Sequence, residues 1–319
     1  MKYGRANALT VDLEDWYQGI RVDVEQWPRF EDRVESSTRR LLELFDSADV
    51  RATFFVLGYV AERHPDLVRA IDACGHEIAT HGYQHKLFYE CTPDELRADI
   101  ARSIEILEGV TARPVIGHRA PFFSVTQASW WALEILAELG LRYDSSIFPI
   151  RHWRCGIPDA TRSPHPIQTA HGTLIEFPPS TERVLGINVP FGGGAYLRAW
   201  PYPLTRTGVR RLNERGWPAV VYIHPWELDS ARPRIHTDRS IAIAQRLNRV
   251  SAGPRLAALL REFEFGPMRD LLDHPPCATP RRGRRAAGGS SGDARRARRP
   301  ATQWSPPRSK RFARTSPRR

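Results

Sequence analysis

His81 and His85 close the segment Glu77-Ile-Ala-Thr-His81-Gly-Tyr-Gln-His85, and two imidazoles at this spacing suit a shared metal ion. On a helical turn, positions i and i+4 lie on one face with Cβ atoms about 5–6 Å apart. A third ligand is offered early in the chain, where Leu9-Thr-Val-Asp12-Leu-Glu14-Asp15-Trp16 runs an apolar strand into three carboxylates. Along an extended segment Asp12 and Glu14 point to the same side. One can then hold metal while the other takes a proton from water. Two imidazoles, a carboxylate and an open position describe a hydrolytic zinc site. Arg119, in Gly117-His-Arg119-Ala-Pro121, cannot lose its proton and can keep a carboxylate placed and ionised. His224, in Ile223-His224-Pro-Trp226, is the natural general acid beside a metal and an amide substrate. Each group also has a bland reading: histidines on a surface turn, a solvated acidic turn, a surface arginine, a structural histidine. What separates the readings is position, because each motif follows a short apolar run.

Those runs alternate with helical patterns. Strands are expected at Ala8–Leu13, Ala52–Leu57, Glu77–Thr80, Val115–Gly117, Leu141–Asp144, Thr173–Phe177 and Ala219–Ile223. Helices are expected at Val34–Ser47, Pro65–Cys74, Thr92–Glu108, Thr126–Leu139 and Leu204–Arg215. Thr92 and Glu95 form a capping box with Pro93 in the first turn, and Gly75, Gly109 and Gly140 are the expected stops. Seven strands alternating with helices mean parallel β/α architecture. The chemistry-bearing residues gather after strands, as at the C-terminal face of a β/α barrel. No G-x-G-x-x-G fingerprint supports a dinucleotide fold. Pro149–Gly172 is long enough to be a lid or a binding loop. Phe191–Pro203 is expected to be irregular.

The formal charge is +11 over 319 residues, but it is not spread evenly. From His274 onward there are 14 Lys/Arg and one acid, which leaves residues 1–273 with 33 basic and 35 acidic groups, or −2. The expected division is a catalytic domain over 1–273, with about 231–273 as a C-terminal helical extension, and a disordered basic tail over 274–319 rich in Arg, Pro, Ala, Gly and Ser. The tail alone favours polyanion binding; no specific nucleic acid is expected. Cys74, Cys91, Cys155 and Cys277 show no C-x-x-C spacing and suggest free thiols. Met1–Ala8 carries no apolar stretch, and no run approaches the roughly 18 residues that span a bilayer. A cytoplasmic location is expected.

Four blocks in order, Thr10-Val-Asp12, His81-Gly-Tyr-Gln-His85, Arg119-Ala-Pro121 and Ile223-His224, resemble the NodB-homology polysaccharide deacetylases, carbohydrate esterase family four in the broad sense. The blocks Val11-Asp-Leu-Glu-Asp-Trp-Tyr17, Gly156-Ile-Pro-Asp-Ala-Thr-Arg162 and His224-Pro-Trp-Glu227 are similar to the deacetylases of exosortase-linked exopolysaccharide loci. The resemblance implies a distorted seven-stranded (β/α) barrel, a divalent metal that is usually zinc, and removal of N-acetyl groups from an N-acetylated polysaccharide or a lipid-linked oligosaccharide. It implies Asp12 as base, His81 and His85 as metal ligands, Arg119 as the residue orienting the base, and His224 as acid.

Two positions depart from the family pattern. Leu13 stands where the family has its second, metal-binding aspartate, so that ligand shifts to Glu14 or Asp15. Strand alternation favours Glu14, and a turn after the strand would favour Asp15. The family's D-x-x-D-W block, which tunes the acid histidine, is missing; Glu176 and Asp144 are the candidate substitutes. Tyr83, Pro121, Trp226 and Asp144 are candidate substrate contacts, with Trp16, Phe122 and Trp153 as further aromatic candidates. A second reading stays with hydrolysis on the same barrel, of a small cyclic amide or ureide. A third is a polyanion- or nucleic-acid-binding protein acting through the tail.

Overall fold

The computed structural model describes residues 3–20, 22–231, 233 and 247–272. The basic tail over 274–319 lies outside the described residues. So do residues 234–246 of the expected C-terminal extension.

The first strand, β1 (Tyr3–Leu13), is the spine. Ala8, Leu9, Val11 and Leu13 are fully buried, and so is Thr10 between them, because both faces of β1 are covered. Burial on both faces is the mark of a parallel sheet flanked by helices. Next come β2 (Thr53–Val56), β3 (Glu77–Thr80), β4 (Gly117–His118) and β5 (Tyr143–Asp144). They are followed by β6 (His165–Thr169), β7 (Gly172–Glu176), β8 (Thr181–Val184) and β9 (Ile187–Pro190). The last two are β10 (Val220–Ile223) and β11 (Phe263–Gly266). Among the described residues nine strands form one sheet in the order β10-β1-β2-β3-β4-β5-β7-β6, with β11 also paired to β1. The sheet curls into a half-barrel with helices packed around it.

Register decides where the chemistry sits. Val11 pairs with Ile223, Asp12 with Phe55, Val56 with Thr80, Thr80 with His118, and His118 with Asp144. The C-terminal ends of β10, β1, β2, β3 and β4 therefore finish side by side. Gly117 is required in β4 by close approach, since a Cβ there would lie 2.0 Å from the Tyr143 ring.

The helices follow apolar periodicity and their caps. Helix α1 (Val34–Ser47) buries Val34, Leu41 and Phe45 against the sheet. Truncating Phe45 to alanine is expected to cost about 3–5 kcal/mol. Helices α2 (Gly58–Arg63) and α3 (Pro65–Ala73) follow β2, and α2 is a short helix that the sequence pattern does not reveal. Helix α4 (Pro93–Thr111) carries the expected capping box, but it runs through Gly109 and ends at Ala112 in the left-handed region. Gly109 meets nothing within 4 Å, so it neither breaks the helix nor packs.

The expected helix over Thr126–Leu139 is split. Ser129 reaches back to Thr126 and Ser124, making a 3₁₀ turn before α5 (Ala132–Glu138). Three further differences involve pairing at a distance. Strand β6 forms inside the expected loop 149–172, a β8–β9 hairpin forms beyond it, and a short helix α6 (Gly194–Ala199) forms inside 191–203. Helix α7 (Tyr202–Glu214) precedes β10. The C-terminal segment contributes α8 (Ala252–Glu262), then strand β11, then α9 (Arg269–Leu272), so it is a mixed element. Among the described residues no helix is long and apolar enough to cross a membrane.

Candidate active site

Asp12 ends its strand beside Arg119. The Arg119 guanidinium is fully buried and donates to Asp12 Oδ1 at 2.7 Å and to Thr10 Oγ1 at 2.8 Å. Its other donors go to the Ser145 carbonyl and hydroxyl, at 3.2 and 2.9 Å. The Phe55 ring lies under it, 4.2 Å from centroid to guanidinium carbon. A planar fork with all sides engaged fixes one carboxylate oxygen and leaves the other facing the cavity.

Glu14 turns inward two residues later. His81, His85 and Glu14 offer ligand atoms that all lie within 4.8 Å of one another, and all three are buried. His81 Nδ1 lies 2.7 Å from the Arg119 carbonyl oxygen. A carbonyl only accepts, so Nδ1 carries the proton and the Nε2 lone pair is free. Burial pushes the His81 imidazole down to about 3, which keeps it neutral. Glu14 Oε2 lies 2.7 Å from His85 Nε2. Burial raises the Glu14 carboxyl, but His85, His224 and His81 together bring it down to about 2. Two imidazoles and a buried ionised carboxylate whose ligand atoms converge fit a divalent cation.

The two histidines do not stand on a helical turn. Residues 81–87 are irregular, and Gly82 and His85 adopt φ of +76° and +55°. These two left-handed residues curl the loop until the rings lie 5.2 Å apart. The same curl sends Tyr83 away from the cavity. Its hydroxyl donates to Glu62 at 2.6 Å, and Arg102 covers its ring.

Asp15 does not join the ligands. Its carboxylate accepts from the backbone N–H groups of Trp16, Arg33 and Val34 at 2.6–2.8 Å, capping the start of α1. The turn after β1 reverses the chain, so strand alternation does not continue past Glu14. Pro121 is buried behind the wall, which its neighbours Phe122 and Phe123 line instead. Asp144 faces His118 and Ser146, at 2.8 and 2.6 Å, and Glu176 faces the backbone N–H of Ile147. Burial and the nearby Asp144 hold the Glu176 carboxyl well above its ordinary range. Neither acid touches His224.

The partner of His224 is Glu227. Nδ1 of His224 lies 2.8 Å from Glu227 Oε1, and Arg198 Nε donates to Glu227 Oε2 at 2.5 Å. Nε2 of His224 thereby faces Glu14 and Asp12, at 3.6 and 3.8 Å. Burial lowers His224, but the bond to Glu227 and the charges of Glu14, Glu227 and Asp12 carry it up to about 9. Trp226 stacks on His224 at 5.0 Å and donates to Glu14 at 3.3 Å. Arg198 sits on α6, where Arg255 of α8 binds the carbonyls of Leu197 and Arg198 at 2.7 and 2.8 Å. Sequence reasoning missed Glu227 and Arg198. The His-Pro-Trp-Glu block holds the glutamate three residues on, a 3₁₀ spacing that was the available signal. Nothing local marks Arg198.

Asp12, Glu14, His81, His85, His224 and Trp226 thus line one cavity of about 260 Å³. Its outer wall comes from Phe122 and from His152, Trp153 and Arg154 of the long loop.

Residues 27–143 match the polysaccharide deacetylase family, and residues 145–273 match a domain of unknown function (DUF3473). The chain is 29% identical over 113 residues to the peptidoglycan deacetylase of Helicobacter pylori, covering 34% of this chain and 36% of that one. The matched stretch thus spans about a third of that relative. Among solved structures, a polysaccharide deacetylase from Mycobacterium smegmatis superposes with a TM-score of 0.59 at 22% identity, over 86% of this chain and 92% of that one. A PuuE allantoinase superposes with a TM-score of 0.54 at 17% identity, over 83% and 88%. The structural likenesses establish the shared fold. The family match itself is confined to residues 27–143.

Proposed function

We propose that this protein is a metal-dependent N-deacetylase acting on N-acetylated amino sugars of an exopolysaccharide or its lipid-linked precursor. The observation that carries the reading is the convergence of the Asp12–Arg119 pair, the Glu14–His81–His85 cluster and the His224–Glu227 pair on one cavity. Glu14, His81 and His85 would hold the ion. A divalent metal bound there supplies Lewis-acid activation of water and stabilises charge on the former carbonyl oxygen. Zinc suits two imidazoles and one carboxylate.

The remaining steps belong to the chain. Asp12, kept in place by Arg119, takes a proton from the attacking water. His224 is protonated below about pH 9 and presents Nε2–H to the cavity, where it protonates the departing amine. Glu227 holds the Nδ1 side, so the proton to be donated is on Nε2. The products are acetate and a free amino sugar. Trp226 and Phe122 exclude water from the sides of the cavity.

The test is acetate release from N-acetylglucosamine oligomers by the full chain loaded with Zn²⁺, before and after chelation. Release that stops on chelation and returns with metal is expected. Full activity in protein stripped of metal would sink the metal reading. Turnover of hydantoin-like compounds with none on sugars would move the site to small cyclic amides.

A further inference from the structure

The outer wall of the cavity is a continuous stack. It starts at His85, whose ring meets Phe122 edge-on at 4.8 Å. The Arg154 guanidinium lies over the other part of the stack, 4.7 Å from the Phe122 centroid and 4.6 Å from that of Trp153. Trp153 ends the series with 70% of its surface exposed, although it borders the cavity. Phe122 is held at φ +53° and Phe123 at +54°. Left-handed phenylalanines cost on the order of 1–3 kcal/mol each and persist where the surroundings impose them. Here Phe123 is clamped between Phe148 and Tyr222, and Phe122 is turned outward to form the ridge.

That ridge has two sides. A second cavity of about 420 Å³ also touches His85 and Phe122, and it opens over Gln18, whose buried Nε2 has no hydrogen-bond partner. The depression therefore continues past the candidate metal ligands in both directions. The exposed indole is the kind of rigid, flat, amphipathic surface that sugar C–H faces and aromatic anchors use. The backbone under it is fixed, because Asn188 of β9 donates to the carbonyls of Pro149 and Pro158 at 2.8 and 3.1 Å.

We propose that Trp153, backed by Arg154 and Phe122, is the platform for the sugar adjacent to the one being deacetylated, and that it sets a preference for oligomers over monosaccharides. This rests on the deacetylase reading above. The adjoining sugar lays its apolar face on the indole. Arg154 holds the ring parallel to the wall from behind. The segment 149–164 is in this view a fixed binding wall.

The experiment compares N-acetylglucosamine with its tetramer as substrates for wild type, Trp153→Ala and Trp153→Phe, and measures tetramer binding by calorimetry. In W153A the tetramer-to-monomer ratio of kcat/KM is expected to fall about tenfold, with matching loss of tetramer affinity. W153F is expected to restore most of both. An unchanged ratio with unchanged tetramer affinity in W153A would overturn the proposal, as would an equal loss on both substrates. If wild type releases no acetate from either sugar, the deacetylase reading fails. The binding arm still decides whether Trp153 holds an oligosaccharide.

Discussion

The two halves of the site are built differently. The half around Asp12, His81, His85 and Arg119 comes from β1 and from the segment matched by the deacetylase family. Its groups stand at the ends of adjacent parallel strands, so sheet register sets their separation. The half around His224 comes from the segment matched by a domain of unknown function. There only His224 directly follows a strand, β10, which pairs with β1. Its orientation depends on Glu227 in the next turn, then on Arg198 in α6, then on Arg255 in α8. The first half needs correct strand pairing and the left-handed curl at Gly82 and His85 in the loop after β3. The second needs a relay of charged contacts between segments far apart in sequence.

The largest test of this contrast is Arg119→Met. It leaves Asp12 buried and unpaired, so unfolding stability is expected to drop about 3–5 kcal/mol, read by denaturant titration. A small loss would mean that water already reaches the pair and that the strand-end half is less rigid than described. Second is His81→Ala, which is expected to reduce bound Zn²⁺ to background by elemental analysis and remove acetate release with it. Retained stoichiometric zinc would break the three-ligand assignment.

Third, Glu227→Gln is expected to lower kcat about 10- to 100-fold while zinc content stays at the wild-type level. It is also expected to move the alkaline limb of the pH profile downward. The sign follows from His224, whose pKa is raised from 6.5 to about 9. Its protonated form stabilises the fold fully below 6.5, and that contribution is lost as pH rises through about 9. Removing the Glu227 charge narrows that window from the alkaline side. An unmoved limb would show that Glu227 supports packing only. The smallest effect is expected from Asp15→Asn, about 0.5–2 kcal/mol of stability from a weakened helix cap, with zinc content unchanged. Loss of zinc would return Asp15 to the ligand set.

Much of this contrast was legible in one dimension. Helix α1 lies where periodicity puts it, since it buries a regular apolar pattern, and β3 spans the short segment expected before the histidines. The ordered motifs place Asp12 near the end of its strand and His81, His85, Arg119 and His224 after theirs, and that is where they are found. The histidine pair was found for a reason the structure replaces. Its spacing suggested a helical turn, and a loop with two left-handed residues supplies the proximity. The hairpin β8–β9, strand β6 and helix α6 were missed because their pairing partners, more than their own composition, decide them.

The chain by itself determined the donor set. Residue types and spacing alone say that two imidazoles, a strand-end carboxylate, a fixed arginine and a late histidine are available. Tertiary structure decided which neighbour does what. Asp15 and Glu14 are adjacent and chemically alike, yet one caps α1 and the other meets the histidines, because the chain reverses between them. Asp144 and Glu176 resemble partners for His224, yet they face His118 and Ile147 across the sheet, and Glu227 takes that place. Carboxylates are interchangeable in sequence. Burial, direction and the nearest donor separate them, and those exist only once the sheet has curled.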